Sequence, residues 1–216
     1  MSRGRLILIN FIGIVVILAL VAGGVYYYFQ QTNYVTTDNA KVAGDLHSIK
    51  APAAGKVSGM NVEEGDEIKK GAEIAKIGAA NSTANSTQSI TAPADGTIIK
   101  KQMDNEQMAQ PGQTIASEVN LSELYITANL KEDTLQDIEV GDDADVIVDG
   151  DGGTVIEGKV EKIGYATNSL FSLMPKSNDD GNYTKVTQTV PVKISITNYS
   201  EQVLPGMNAE VKISKN

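Results

Sequence analysis

The chain has 216 residues, a formal net charge of -9 and no cysteine. That length allows one large or two small domains. The acidic balance argues against nonspecific nucleic-acid binding, and the missing thiols exclude disulfides, a thiolate nucleophile and an iron–sulfur cluster. One histidine and no tryptophan leave little of the usual catalytic equipment.

Leu6 to Phe29 carries no charged side chain. As a helix this run spans about 36 Å, against a hydrocarbon core of roughly 30 Å. Tyr26, Tyr27, Tyr28 and Phe29 close it with an interfacial aromatic belt. The only two arginines, Arg3 and Arg5, precede it. The positive-inside rule then puts residues 1–5 in the cytoplasm, a single transmembrane helix over 6–29, and residues 30–216 outside the cell membrane. A cleaved signal peptide is the competing reading. Its apolar region would be unusually long, and Val21-Ala22-Gly23 is a poor cleavage site.

Residues 30–46 read as a linker and a first barrel strand, with Tyr34 to Val42 β-prone. After them a pattern occurs twice. Ile49, Ala51, Pro52 and Gly55 return as Ile90, Ala92, Pro93 and Gly96, 41 positions later. The same offset carries Val57 onto Ile98, Gly71 onto Gly112, Ile74 onto Ile115 and Ala75 onto Ala116. A fixed period means a duplicated structural unit. Each unit reads as short strands broken by glycine turns, and two units back to back make a small β-sandwich over 47–119. Its halves are 47–78 and 90–119, joined by a short linker at 79–89. Pro52, Gly55, Gly65, Gly71, Pro93, Gly96 and Gly112 are the expected structural turns. Gly55 and Gly96 in particular need positive φ or a close backbone approach.

Residues 120–216 are β-rich. Val186, Val190, Val192, Ile194 and Ile196 share one face of a strand, with Gln188 the polar exception. Ala144, Val146 and Val148 alternate with Asp145, Ile147 and Asp149. Ala209, Val211 and Ile213 alternate after the Pro205-Gly206 turn. One short helix is expected over Glu132 to Ile138, stopped by Gly141. The fold class is therefore mainly β: a sandwich followed by a β-barrel over 120–216.

The half-motif Ile-x-Ala-Pro-x-x-Gly-x-Val, followed by Glu64-Gly65-Asp66-x-Ile68-x-x-Gly71-x-x-Ile74, resembles one half of a biotinyl/lipoyl domain. The second copy resembles the other half. An anchor, a split lipoyl-like domain and a barrel is the order of the HlyD-type membrane fusion proteins, or periplasmic adaptors. Ser169-Leu170-Phe171-Ser172-Leu173-Met174-Pro175, then Gly181-Asn182-Tyr183-x-Lys185-Val186-x-Gln188-x-Val190-Pro191-Val192-x-Ile194, resembles the barrel of EmrA-like drug-efflux adaptors. The resemblance covers roughly residues 34–216. It implies a non-enzymatic accessory subunit of a multidrug-type efflux pump. The implied partner is a major-facilitator-type drug transporter, with an ABC transporter as the alternative, and self-association into a homo-oligomer is implied as well.

The chain departs from the family at the join between its halves. Carrier domains present a lysine there for biotin or lipoate. Residues 79–89 contain none, so no covalent cofactor is expected. Gram-negative adaptors insert a long α-helical hairpin at the same join. Eleven small, polar residues without a heptad cannot supply one. An outer-membrane channel is therefore not expected, and a Gram-positive cell is the simplest host. The rival from another class is a stand-alone envelope protein with a structural or ligand-binding role.

Other features read blandly. Asp142, Asp143, Asp145, Asp149 and Asp151 lack calcium-loop spacing and suit a solvated hairpin; no metal site is expected. His47 stands alone, without a triad pattern. The apolar run Phe171, Leu173, Met174 and Pro175 sits between polar flanks. It either folds inward as a barrel plug, the commoner fate of apolar loop residues, or forms a patch for a partner.

Overall fold

Asn33 ends a helix and Tyr34 begins a strand with no loop between them. The computed structural model describes residues 3–79, 87–171 and 187–215. Helix α1 (Arg3–Asn33) has 31 residues. Among the described residues, no helix is long and apolar enough to cross a membrane. The side chains described inside α1 run from 11 to 26, shorter than the about 20 apolar residues a span needs. The span expected over 6–29 is therefore not shown by the described residues.

Strand β1 (Tyr34–Ala43) follows α1, and the sandwich strands come next. The first repeat supplies β2 (Leu46–Lys50), β3 (Gly55–Ser58), β4 (Glu67–Ile68) and β5 (Glu73–Ala79). The second supplies β6 (Thr87–Thr91), β7 (Gly96–Lys101), β8 (Met108–Ala109) and β9 (Thr114–Val119). They form two four-stranded sheets, in the orders β2-β9-β7-β4 and β6-β5-β3-β8. Exchanging the repeats turns one order into the other, so the sandwich has an internal pseudo-two-fold. Each sheet takes two strands from each repeat. Ile49, Val57, Ile74 and Ile77 of one half pack with Ile90, Ile98 and Ile115 of the other in a single core. Burying each such side chain stabilises the fold by about 1.5–3 kcal/mol.

The remaining strands are β10 (Tyr125–Lys131), β11 (Asp143–Val148), β12 (Val155–Ile163), β13 (Thr189–Ile196) and β14 (Asn208–Ser214). With β1 they close a barrel in the order β1-β10-β13-β12-β11-β14. The alternation read from the sequence sets its interior. Val190, Val192, Ile194 and Ile196 are buried on β13, as are Ala144, Val146 and Val148 on β11 and Ala209, Val211 and Ile213 on β14. The short helix expected over Glu132–Ile138 is a 3₁₀ helix at Glu132–Asp137. The Thr134 hydroxyl donates to the Lys131 carbonyl (2.8 Å) at its start, and the extended Ile138 ends it. Val186 lies outside the described residues, and β13 begins at Thr189.

By internal contacts the chain divides into two units. One is Lys41–Ile126 with Glu201–Met207, and the other holds α1 and most of the barrel.

Candidate functional site

The repeat is present in individual hydrogen bonds as well as in strands. Ala51 N–H donates to the Gln113 carbonyl (2.9 Å), and the Ala51 carbonyl accepts from Gly112 N–H (2.8 Å). Its counterpart Ala92 donates to Ala72 (3.0 Å) and accepts from Gly71 N–H (2.9 Å). Each Ala-Pro step is thus clamped by the glycine turn of the other repeat. Gly71 and Gly112 have φ of 83° and 79°, a region open to glycine and costly for other residues. Pro52 and Pro93 follow the clamped alanines and are exposed; with no N–H to donate, each sits just beyond the end of its strand, at Lys50 and Thr91.

Gly65 N–H donates to Ile98 O, and Glu106 N–H to Val57 O, both at 2.8 Å. Side chains obey the offset as well. Asn105 Oδ1 accepts from Met60 N–H (2.8 Å), and Glu64 Oε1 accepts from Lys101 N–H (3.0 Å).

Gly55 and Gly96 are the first residues of β3 and β7, not turn residues, and neither is among the positive-φ glycines. What each position demands is a close backbone approach. A Cβ on Gly55 would lie 2.0 Å from the Gly78 carbonyl oxygen, and one on Gly96 would lie 2.8 Å from the Val119 carbonyl oxygen. Gly78 and Val119 are themselves repeat mates.

The pairing of like with like breaks most sharply where a fully buried isoleucine has an acid as its mate. Ile77 is 1% exposed, and its mate is Glu118, 0% exposed. Glu118 Oε1 accepts from Ala94 N–H (3.0 Å); its Oε2 has no hydrogen-bond partner among the described residues. Burial pushes the carboxyl above its ordinary range, opposed by the Ala94 hydrogen bond and by His47, and reinforced by Asp95. His47 stands opposite Glu118 in the β2–β9 register. A hollow of about 220 Å³ beside them is lined by Asp45, His47, Ala94, Asp95, Asn120 and Glu123. Sequence reasoning passed over Glu118. Extending the 41-residue offset to position 77 would have flagged it.

The acidic run is spent on local contacts. Asp142 Oδ2 accepts from Glu139 N–H (2.7 Å), Asp143 pairs with Lys159 (2.5 Å), and Asp151 accepts from the Ser200 hydroxyl. Among the described residues no three potential metal ligands converge. Lys76, the lysine nearest the join, lies in β5 beside Glu73 (3.3 Å). Phe171 ends a short 3₁₀ helix (Asn168–Phe171); Leu173, Met174 and Pro175 lie outside the described residues. Leu170, next to that run, is 72% exposed.

A closed six-stranded barrel joined to a two-repeat sandwich defines the class: the architecture of membrane fusion proteins. Comparisons with known proteins agree. Residues 45–120 match the YhbJ barrel-sandwich hybrid domain. The Bacillus subtilis (strain 168) protein named "Putative efflux system component YhbJ" is 57% identical over 215 residues, covering 100% of this chain and 95% of that protein. "Probable multidrug resistance protein EmrK" of Escherichia coli (strain K12) is 33% identical over 108 residues, 50% of this chain and 28% of that protein. The chain therefore spans well under half the length of that Gram-negative relative. The solved periplasmic adaptor protein EmrA matches with a TM-score of 0.55 at 15% identity, over 85% of this chain and 99% of that one, a likeness of fold. The chain belongs to the YhbJ family of efflux-system membrane fusion proteins, EmrA-like adaptors that are not enzymes.

Proposed function

We propose that this protein is the membrane-anchored adaptor subunit of a multidrug-type efflux pump, docked on the outer face of a cytoplasmic-membrane transporter of the major-facilitator type. The observation that carries the reading is the sandwich and barrel on a chain that matches an efflux component over its full length.

Helix α1 serves as the single-pass anchor, with residues 1–5 cytoplasmic. Its side chains from 11 to 26 are all exposed, Phe11, Ile17 and Leu20 among them. A continuous apolar surface of that kind is stable in lipid and costly in water. The barrel follows α1 directly and forms the membrane-proximal part. Anchoring raises the local concentration of the exported domains at the transporter, so weak docking suffices. Phe171, Leu173, Met174 and Pro175 form the docking patch, a reading supported by exposed Leu170 and by Tyr165, 96% exposed. Copies associate through the sandwich.

Only residues 80–86 separate β5 from β6. Seven residues extend at most about 25 Å, too short for a helical hairpin. The pump then works without an outer-membrane channel, in a cell with one membrane, a reading supported by the Bacillus subtilis origin of the relative. Any effect on transport arises from binding one transporter conformation more tightly than another.

The test is purification of the tagged, full-length protein from gently solubilised native membranes. A polytopic transporter recovered with it supports the reading, and its identity decides between the major-facilitator and ABC types. Recovery without a transporter overturns it and favours a stand-alone envelope protein.

A further inference from the structure

The sandwich is two-fold in its strand order and its turn hydrogen bonds, and Glu118 stands where an isoleucine belongs. We infer that Glu118 is a proton-linked latch: the folded sandwich holds it as the neutral acid against the Ala94 amide, and its ionisation puts an uncompensated charge in the core and loosens the sandwich.

Three observations carry this. First, the slot is apolar by construction. Its mate holds Ile77, Glu118 is 0% exposed, and the β7 residue opposite it in register is the fully buried Ile98. Second, the donors are too few for a charge. An ionised carboxylate offers about four lone-pair sites, and one kept ionised by hydrogen bonds typically accepts two or three from the protein. Among the described residues Glu118 accepts one, from Ala94 N–H, and its Oε2 accepts none.

Third, the neighbouring charges do not compensate. His47 faces it from β2 and Asp95 from the turn before β7. Asp45 and Glu123 rim the hollow. The two charged neighbours that act on it, His47 and Asp95, oppose one another, and no lysine lines the hollow. The upward displacement caused by burial runs in the same direction.

A carboxyl raised in the folded state stabilises the fold below its ordinary value of 4.5. That contribution is lost as pH rises through the folded value. Between the two, the folding equilibrium constant falls about tenfold per pH unit.

The experiment uses the full chain in detergent micelles, labelled with ¹³C at glutamate carboxyls. The resonance missing from Glu118→Gln identifies the group. Its midpoint is expected above 4.5. By calorimetry, the wild-type sandwich loses stability as pH rises across that window, and Glu118→Gln and Glu118→Ile (the residue of the mate position) flatten that slope. His47→Gln keeps it. A carboxyl that titrates at or below its ordinary value overturns the inference. So does a slope shared equally by the wild type and both Glu118 variants, or one abolished by His47→Gln, which would make the histidine the sensor.

Discussion

Gly65 and Glu106 hold the same position in two turns 41 residues apart, with φ of 99° and 73°. Glycine tolerates that conformation, whereas a glutamate strained there costs about 1–2 kcal/mol. The ion pair that Glu106 makes with Lys56 is exposed on both sides and contributes little. Glu106→Gly is expected to stabilise the sandwich by about 0.5–1 kcal/mol, the relief of strain exceeding the extra entropy of glycine in the unfolded chain. Gly65→Ala is expected to lose about 1 kcal/mol. Calorimetric midpoints moving in opposite directions would bear this out.

Gly55 and Gly96 separate two degrees of the same constraint. The atom that an added Cβ meets is a backbone carbonyl oxygen in both cases, at 2.0 Å and 2.8 Å. A carbonyl within a sheet cannot swing aside, so strands must part. Gly96→Ala is expected to cost about 2 kcal/mol and Gly55→Ala more. Equal melting of the two variants would show that the approach at Gly55 relaxes freely.

Much of this was legible in the sequence, because a gap-free repeat and period-2 alternation are local signals. The 41-residue offset located both halves of the sandwich, and alternation at 144–148, 190–196 and 209–213 picked out buried barrel strands. Three things were not legible. Whether Gly55 needed positive φ or space depends on where Gly78 sits, 23 positions away, and no local pattern carries that distance. Glu118 lies in Thr-Ile-Ala-Ser-Glu-Val, where a glutamate looks like an ordinary outward residue. Only its partners across β2 and β7 enclose it. The helix near residue 132 is 3₁₀ and closes with an i→i+3 bond from Ile138 N–H to the Leu135 carbonyl, and the spacing of Leu135 and Ile138 fits either helix type.

The two side-chain braces offer a graded test. Asn105→Ala leaves Met60 N–H without its acceptor in a half-buried turn and is expected to cost about 1–2 kcal/mol. Glu64→Ala removes the mate interaction on Lys101 N–H, but that site is exposed and water replaces the acceptor. A smaller loss, under about 0.5 kcal/mol, is expected there. The order of the two unfolding midpoints checks it.

Glu73 spans β5 and β6 by accepting from Ser89 Oγ. That bond, with Lys76 beside it, holds the Glu73 carboxyl below its ordinary value. A depressed carboxyl favours the fold above its ordinary pKa and loses that contribution as pH falls. Ser89→Ala is expected to move the Glu73 midpoint upward, read by carboxyl-carbon NMR. An unmoved midpoint would assign the effect to Lys76 alone.

The segment after Leu170 is tested with Leu170→Ser, then Phe171→Ser with Leu173→Ser. Leu170 is 72% exposed, so its replacement should leave melting within about 0.5 kcal/mol of wild type while weakening transporter recovery. If the double variant also melts normally and loses the transporter, the run is a docking surface. Lost stability would make it a plug of the barrel instead.

Because each sheet of the sandwich interleaves β2 and β4 with β7 and β9, or β3 and β5 with β6 and β8, each half alone has only one two-stranded ladder, β3–β5 or β7–β9. A ribosome that has released the first half has released a lone hairpin, marginal in water; the closed sandwich must wait until Val119 has cleared the exit tunnel. The join at 80–86, between β5 and β6, is a place where chain could be lengthened without breaking a ladder. A lineage could add or shed a long arm there while keeping every strand in register.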